Sequence, residues 1–244
     1  MQEKIFLDSE NGKVCCLHTQ VEGSSSVVIL AHGYLSDKES RTNKALSKRL
    51  NEVGISTIAF DMYGHGESEG DVERLTITKV VGNVLAVYDF AESRYQRIGL
   101  SGASFTGIVS LIAATKREFS VLSLKCPVFD SKKLWDWRHG KKGIERWKKE
   151  GSKTLFGKEW RYEAYEDASQ YDMRKIVSGI TAPTLAIHGD KDATVPISHA
   201  KNIISFISGE KKLVIIKGAD HFFHDPAHFR RMVQTSFQWL SSHL

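Results

Sequence analysis

The chain has only three cysteines in 244 residues, Cys15, Cys16 and Cys126. So few cannot staple a disulfide scaffold, and neighbours in an extended strand point to opposite faces, so Cys15 and Cys16 do not pair with each other. The thiols are expected to be small core residues in a reducing cytoplasm. No apolar run approaches the ~18 residues needed to cross a membrane, so no integral membrane segment is expected. The opening "MQEKIFLDSENGK" lacks an apolar h-region, and no secretory leader is expected. No Cys/His group has metal-ligand spacing. The glycine-rich "DMYGHGESEG" (61–70) lacks the Lys-Ser/Thr ending of a P-loop and reads as a glycine loop after a strand, with His65 no metal ligand. These absences leave no cofactor and no metal to expect. Internal repeats and low-complexity linkers are also missing.

What is present is an ordinary globular composition with 41% hydrophobic and 26% charged residues, in a length that suits one large domain. The net charge of +5 is unevenly spread. Residues 131–160 hold ten Lys/Arg against four Asp/Glu, a net of +6, so the rest of the chain nets −1. Basic character confined to one segment argues against nucleic-acid binding.

Short β-rich runs recur at 4–8, 14–19, 26–31, 55–60, 97–101, 119–126, 184–189 and 212–217. Several are continuous Val/Ile/Leu runs, which suit strands covered on both faces. Helical patterns lie between them at 40–54, 76–93, 107–115, 198–208 and 227–244. The first of these places Ala45, Leu46, Leu50 and Val53 on one apolar face. Strand–helix alternation after two early strands predicts an α/β chain with a mostly parallel eight-stranded sheet flanked by helices. The alternation breaks once, at 131–182. That segment holds four of the five tryptophans (Trp135, Trp137, Trp147, Trp160) and most of the excess basic charge. It reads as a helical cap insertion, leaving 1–130 and 183–244 as the core domain.

The stretch "GLSGASFTG" (99–107) looks like a strand-to-helix turn built to expose a hydroxyl. A serine is a poor nucleophile unless a base and an orienting group stand beside it. A sharp turn with small flanking residues presents one in the pattern G-x-S-x-G, which neither Ser101 nor Ser104 matches strictly. A turn at Ser104 lets the strand run from Arg97 to Ser101 and leaves Ile108, Val109, Leu111 and Ile112 for the buried positions of the next helix. Ser104 is therefore preferred over Ser101. Downstream, "TLAIHGDKDATVP" (184–196) ends a buried strand in a loop with Asp190 and Asp192. "KLVIIKGADHFFHDP" (212–226) ends another in a loop with His221 and His224. Catalytic groups in open α/β sheets gather at the carboxyl ends of strands. Three such ends here carry Ser, Asp and His in that chain order.

The chain resembles the α/β-hydrolase superfamily over nearly its whole length, through "AHGYLSD" (31–37), "AFDMYGHGESEG" (59–70), "GASFTG" (102–107), "HGDKDATVP" (188–196) and "KGADHFF" (217–223). Within it, the chain is similar to small bacterial serine esterases related to feruloyl (cinnamoyl) esterases and monoacylglycerol lipases. The resemblance implies Ser104 as nucleophile, His221 as general base and Asp192 as orienting acid. It implies an oxyanion hole from the backbone N–H groups of Tyr34 and Phe105. Thr106 departs from the pattern, which usually has glycine there. Asp190 is the rival acid, expected instead to shape its loop, and His224 is the rival base, expected at a helix start. His32 is expected to be structural.

The implied activity is hydrolysis of a small-molecule carboxylic ester. Acylglycerol lipase, acyl-thioesterase and aminopeptidase-like activities are alternatives, and a non-catalytic ligand binder is the alternative of another class. The 131–182 insertion has three readings: an aromatic substrate pocket, an anionic docking face through Lys132, Lys133, Lys141, Lys142, Lys148 and Lys149, or a solvated lid. Its aromatics are also the place where cap opening or a homodimer contact is expected. Asp130 or Asp136 could read a phenol hydroxyl, but neither aligns with a family position and neither is taken as a site residue.

Overall fold

The computed structural model describes residues 1–155 and 157–244. Eight strands form one sheet: β1 (Gln2–Ser9), β2 (Gly12–Thr19), β3 (Ser26–Ala31), β4 (Ser56–Phe60), β5 (Arg97–Ala103), β6 (Val121–Lys125), β9 (Thr184–Gly189) and β10 (Lys211–Ile216). Their order is β1-β2-β4-β3-β5-β6-β9-β10. The β1–β2 and β2–β4 pairs are antiparallel, and every later pair is parallel.

The buried strands are apolar on both sides because both faces are covered. Along β3, Val27, Ile29 and Ala31 join one core while Val28 and Leu30 join the other. Helices α1 (Arg41–Glu52) and α8 (Pro226–Ser242) supply the second core. Helices α2 (Ile77–Glu92), α3 (Phe105–Ala113), α6 (Met173–Ser178) and α7 (Ser198–Phe206) supply the first. Each longer helix begins where a polar side chain satisfies its first free N–H groups. Ser40 caps α1, Thr76 caps α2, and Asp225 caps α8 just before Pro226. On α1, Leu46 and Leu50 are buried as expected, but Val53 lies past the helix end and is 54% exposed.

The insertion is not simply helical. After α4 (Ser131–Glu150), which kinks at Gly140, comes an antiparallel hairpin of β7 (Ser152–Leu155) and β8 (Lys158–Arg161). Helix α5 (Glu163–Ala168) follows. Helix α6 packs on α3 and α7, so the last part of 131–182 belongs to the helical layer of the core. Trp135, Trp147 and Trp160 are buried against one another edge to face, with ring centroids 5.5 Å apart for Trp135 and each partner. Trp137 alone of the four is exposed. Trp160 donates its indole N–H to the Tyr34 hydroxyl, which ties the insertion to the loop after β3. Asp130 caps α4, and Asp136 accepts from the Tyr165 hydroxyl at 2.7 Å while pairing with Lys132 at 2.6 Å. Among the described residues, no helix is long and apolar enough to cross a membrane.

Candidate active site

The strand order reverses between β3 and β5, since β4 flanks β3 on one side and β5 on the other. Loops leaving those two strands diverge and open a crevice there. Ser104 stands in it, between the end of β5 and the first residue of α3. Its backbone is at φ 54, ψ −112, a conformation that costs a non-glycine residue on the order of 1–3 kcal/mol. Neighbours hold it there. Its N–H donates to Lys125 O at 2.9 Å, and its carbonyl accepts from Gly107 at 2.9 Å and Val128 at 3.0 Å. The strand runs two residues further than the sequence predicts, to Ala103, so the turn is sharper than the expected 102–106 loop.

Small residues permit this turn, at positions that differ from the usual pattern. A Cβ on Gly102 would lie 2.3 Å from Ser110 Oγ, and one on Gly107 would lie 2.6 Å from Pro127 Cβ. Thr106 is accommodated because its hydroxyl is used. Oγ1 accepts from Ala103 N–H at 2.8 Å and lies within donating distance of the carbonyls of Ala31 and Ala103. The departure from glycine thus becomes a clamp between β3 and the turn. Ser101, the rival serine, is a buried residue of β5.

His221 Nε2 lies 3.0 Å from Ser104 Oγ, and His221 Nδ1 lies 2.7 Å from Asp192 Oδ2. A carboxylate only accepts, so Nδ1 is a donor, and in the neutral ring Nε2 is left as the acceptor facing the serine. The Asp192 side chain is fully buried, with Oδ1 accepting from the N–H groups of Thr194 and Val195 at 2.8 Å each. Burial opposes its charge, but bonds from His188, His221 and Val195 hold the carboxyl far below the usual range. His188 is a partner that the sequence reading missed. Its Nε2 lies 2.9 Å from Val195 O, so that nitrogen is a donor, and it is also 3.2 Å from Asp192 Oδ2. The signal was its place within "HGDKD", four residues before the acid. Asp190 accepts from Gly218 N–H at 2.6 Å and shapes the loop as expected. His224 is exposed, precedes the helix and pairs with Asp220.

Tyr34 lines the cavity, and Phe105 opens α3, where a backbone N–H has no intrahelical acceptor. The loop carrying Tyr34 is held by two bare imidazole nitrogens. His32 Nε2 accepts from Met62 N–H at 3.1 Å, and His65 Nε2 from Leu35 N–H at 3.2 Å. His199 Nδ1 likewise accepts from Phe129 N–H at 3.0 Å. The four non-glycine residues with positive φ among those described are Leu35, Ser104, Cys126 and Phe223, and each is within one residue of the cavity wall. The cavity is about 210 Å³ and runs from Ser104 and His221 to Arg41, Phe222 and Phe229.

These histidines imply a pH dependence. Burial pushes His32 and His199 down to about 4 and lowers His65 as well. Unfolded histidines titrate near 6.5. Their contribution is therefore complete above about pH 6.5 and is lost as pH falls through 4, by about 3 kcal/mol for each of His32 and His199. Urea unfolding between pH 7 and 4.5 is expected to show this loss before most carboxylates titrate. A flat profile over that window contradicts it.

Among the described residues, two groups of side chains bring possible metal ligands within 4.8 Å, Cys126–His188–Asp192 and Cys15–Asp61–Glu67. Neither fits an ion well. Lys38 Nζ already bridges Asp61 at 2.7 Å and Glu67 at 2.8 Å, and burial raises the Cys126 thiol so that it keeps its proton.

Known proteins share this arrangement of the chain. It is 23% identical over 237 residues to the palmitoyl-protein thioesterase ABHD10, mitochondrial, of Rattus norvegicus, covering 89% of this chain and 76% of that protein. The structure of Est1E from Butyrivibrio proteoclasticus with ferulic acid superposes with a TM-score of 0.87 at 24% identity over 98% of both chains. Alpha/beta hydrolase domain-containing protein 10 from mouse superposes with a TM-score of 0.86 at 20% identity, over 98% of this chain and 99% of that one. These likenesses establish the α/β-hydrolase fold. The prolyl oligopeptidase family model matches residues 72–244, which take in the Ser104 turn, the Asp192 loop and the His221 loop, and so the chain belongs to that family.

Proposed function

We propose that the protein is a serine hydrolase that cleaves carboxylic esters through an acyl-enzyme on Ser104. The observation that carries this is the unbroken Ser104–His221–Asp192 chain at 3.0 and 2.7 Å, with the serine at positive φ. Ser104 Oγ attacks the ester carbonyl as His221 Nε2 takes its proton. The backbone N–H groups of Tyr34 and Phe105 receive the oxyanion, and losing one such donor typically costs about 3 kcal/mol. His221 returns the proton to the leaving alcohol, then activates the water that releases the acid.

The acyl group we propose is short to medium or cinnamoyl-like. A 210 Å³ cavity is below the roughly 300–1,000 Å³ of drug-sized pockets, which favours a compact group over a long acyl chain. The same machinery accepts thioesters, and the rat relative's name supports testing them. The proposed compartment is the reducing cytoplasm, on the three free buried thiols, although that relative's name carries a mitochondrial address.

A fluorophosphonate probe with peptide mapping tests the reading. Label is expected on Ser104 and is expected to vanish in His221→Ala. Label on Ser101, or none on folded protein, moves the weight to another nucleophile or to a ligand-binding role.

A further inference from the structure

The proposed mechanism leaves unused two cationic side chains in the wall of the Ser104 cavity. Arg41 is the first residue of α1, and Lys125 is the last of β6. Each rests against an aromatic ring. The Arg41 guanidinium carbon is 3.5 Å from the Phe229 centroid, and Lys125 Nζ is 5.6 Å from that of Phe223. Among the described residues, neither makes an ion pair or a side-chain hydrogen bond. The acidic groups nearby are already engaged. Asp220 is held by the ring of His224 at 2.5 Å and its backbone N–H at 3.1 Å, and Asp192 by its own histidines.

Ser40, Arg41, Thr42 and Asn43 place the first turn of α1 in the same wall, with no acidic residue to offset its positive end. Burial first, and then the neighbouring Arg41 charge, lower the Lys125 ammonium against the pull of Asp192 and Asp220. Two cations that share a small cavity repel unless an anion joins them. Guanidinium and ammonium together suit a carboxylate, through charge-assisted hydrogen bonds.

We propose that this cavity selects anionic esters, with a substrate carboxylate held by Arg41 and Lys125 a few bonds from the carbonyl that Ser104 attacks. The proposal rests on the serine-hydrolase reading and narrows its substrate class.

Two matched pairs test it. 4-Nitrophenyl hydrogen adipate against 4-nitrophenyl hexanoate places the charge on the acyl side. 4-Acetoxybenzoate against 4-acetoxybenzamide places it on the leaving group. One pair is expected to favour the anion in kcat/KM by about ten- to hundredfold at low salt. That ratio is expected to fall towards one in Arg41→Gln and Lys125→Met, to be partly kept in Arg41→Lys, and to shrink as salt is added. Equal values within both pairs, or a ratio that survives both substitutions, overturn the proposal.

The hydrolase reading fails separately, as absence of probe label on Ser104 with no ester turned over. In that event calorimetry on Ser104→Ala decides. Tenfold tighter binding of monomethyl adipate than of dimethyl adipate supports anion recognition, and equal binding overturns it.

Discussion

Replacing Ser104 or His221 with alanine is expected to lower kcat on an aryl ester by about six orders of magnitude, and replacing both is expected to lower it little further. The reason is that the two residues act as one unit. In the proposed mechanism, Ser104 Oγ is nucleophilic only while His221 Nε2, 3.0 Å away, can take its proton. Once either is gone, the other has nothing to act on. What persists is the electrostatic contribution of the backbone donors, roughly 10³–10⁴ over the reaction in water. Single-turnover assays on both single variants and the double variant measure this directly. Losses that multiply in the double variant would show two independent contributions and would contradict the shared step. More than a hundredth of wild-type kcat in Ser104→Ala would place the nucleophile elsewhere.

The double-sided strands were legible in the sequence because parallel strands under two helical layers are buried at every position and so mostly apolar, as β3 and β9 are. The three loops that bring His221 within 3.0 Å of Ser104 and 2.7 Å of Asp192 could be read from strand ends, and the resemblance chose Asp192 over Asp190 and His221 over His224. Features set by tertiary contact could not. Gly102 and Ala103 have little strand preference, and they extend β5 because β6 offers Leu124 and Lys125 as partners. The β7–β8 hairpin has four-residue strands of mostly polar residues, too short for periodicity to mark. Arg41 reads as a polar helix start and Lys125 as the tail of a strand. Only the packing of α1 and α8 against the sheet brings both to the cavity of Ser104. Thr106 looked like an obstacle because the pattern records size, while its hydroxyl bonds to Ala31 and Ala103 depend on where β3 lies.

Asp192→Asn is expected to cost about 10⁴ in kcat. The geometry leaves an amide no good orientation at this position. With the amide nitrogen in the Oδ2 place, it meets His221 Nδ1 and the His188 Nε2–H that Val195 O fixes as a donor. His221 must then accept at Nδ1 and carry its proton on Nε2, so it presents a donor to Ser104 where a base is needed. With the amide nitrogen in the Oδ1 place, it opposes the N–H groups of Thr194 and Val195, and the loop that carries residue 192 loses two bonds of 2.8 Å. The first orientation damages catalysis and the second damages stability, so kcat and the melting midpoint should both be measured. Asp190→Asn is the control. Its one backbone bond, from Gly218 N–H, can equally be accepted by an amide oxygen. A loss in Asp192→Asn of less than tenfold, or a larger loss in Asp190→Asn, would reassign the acid.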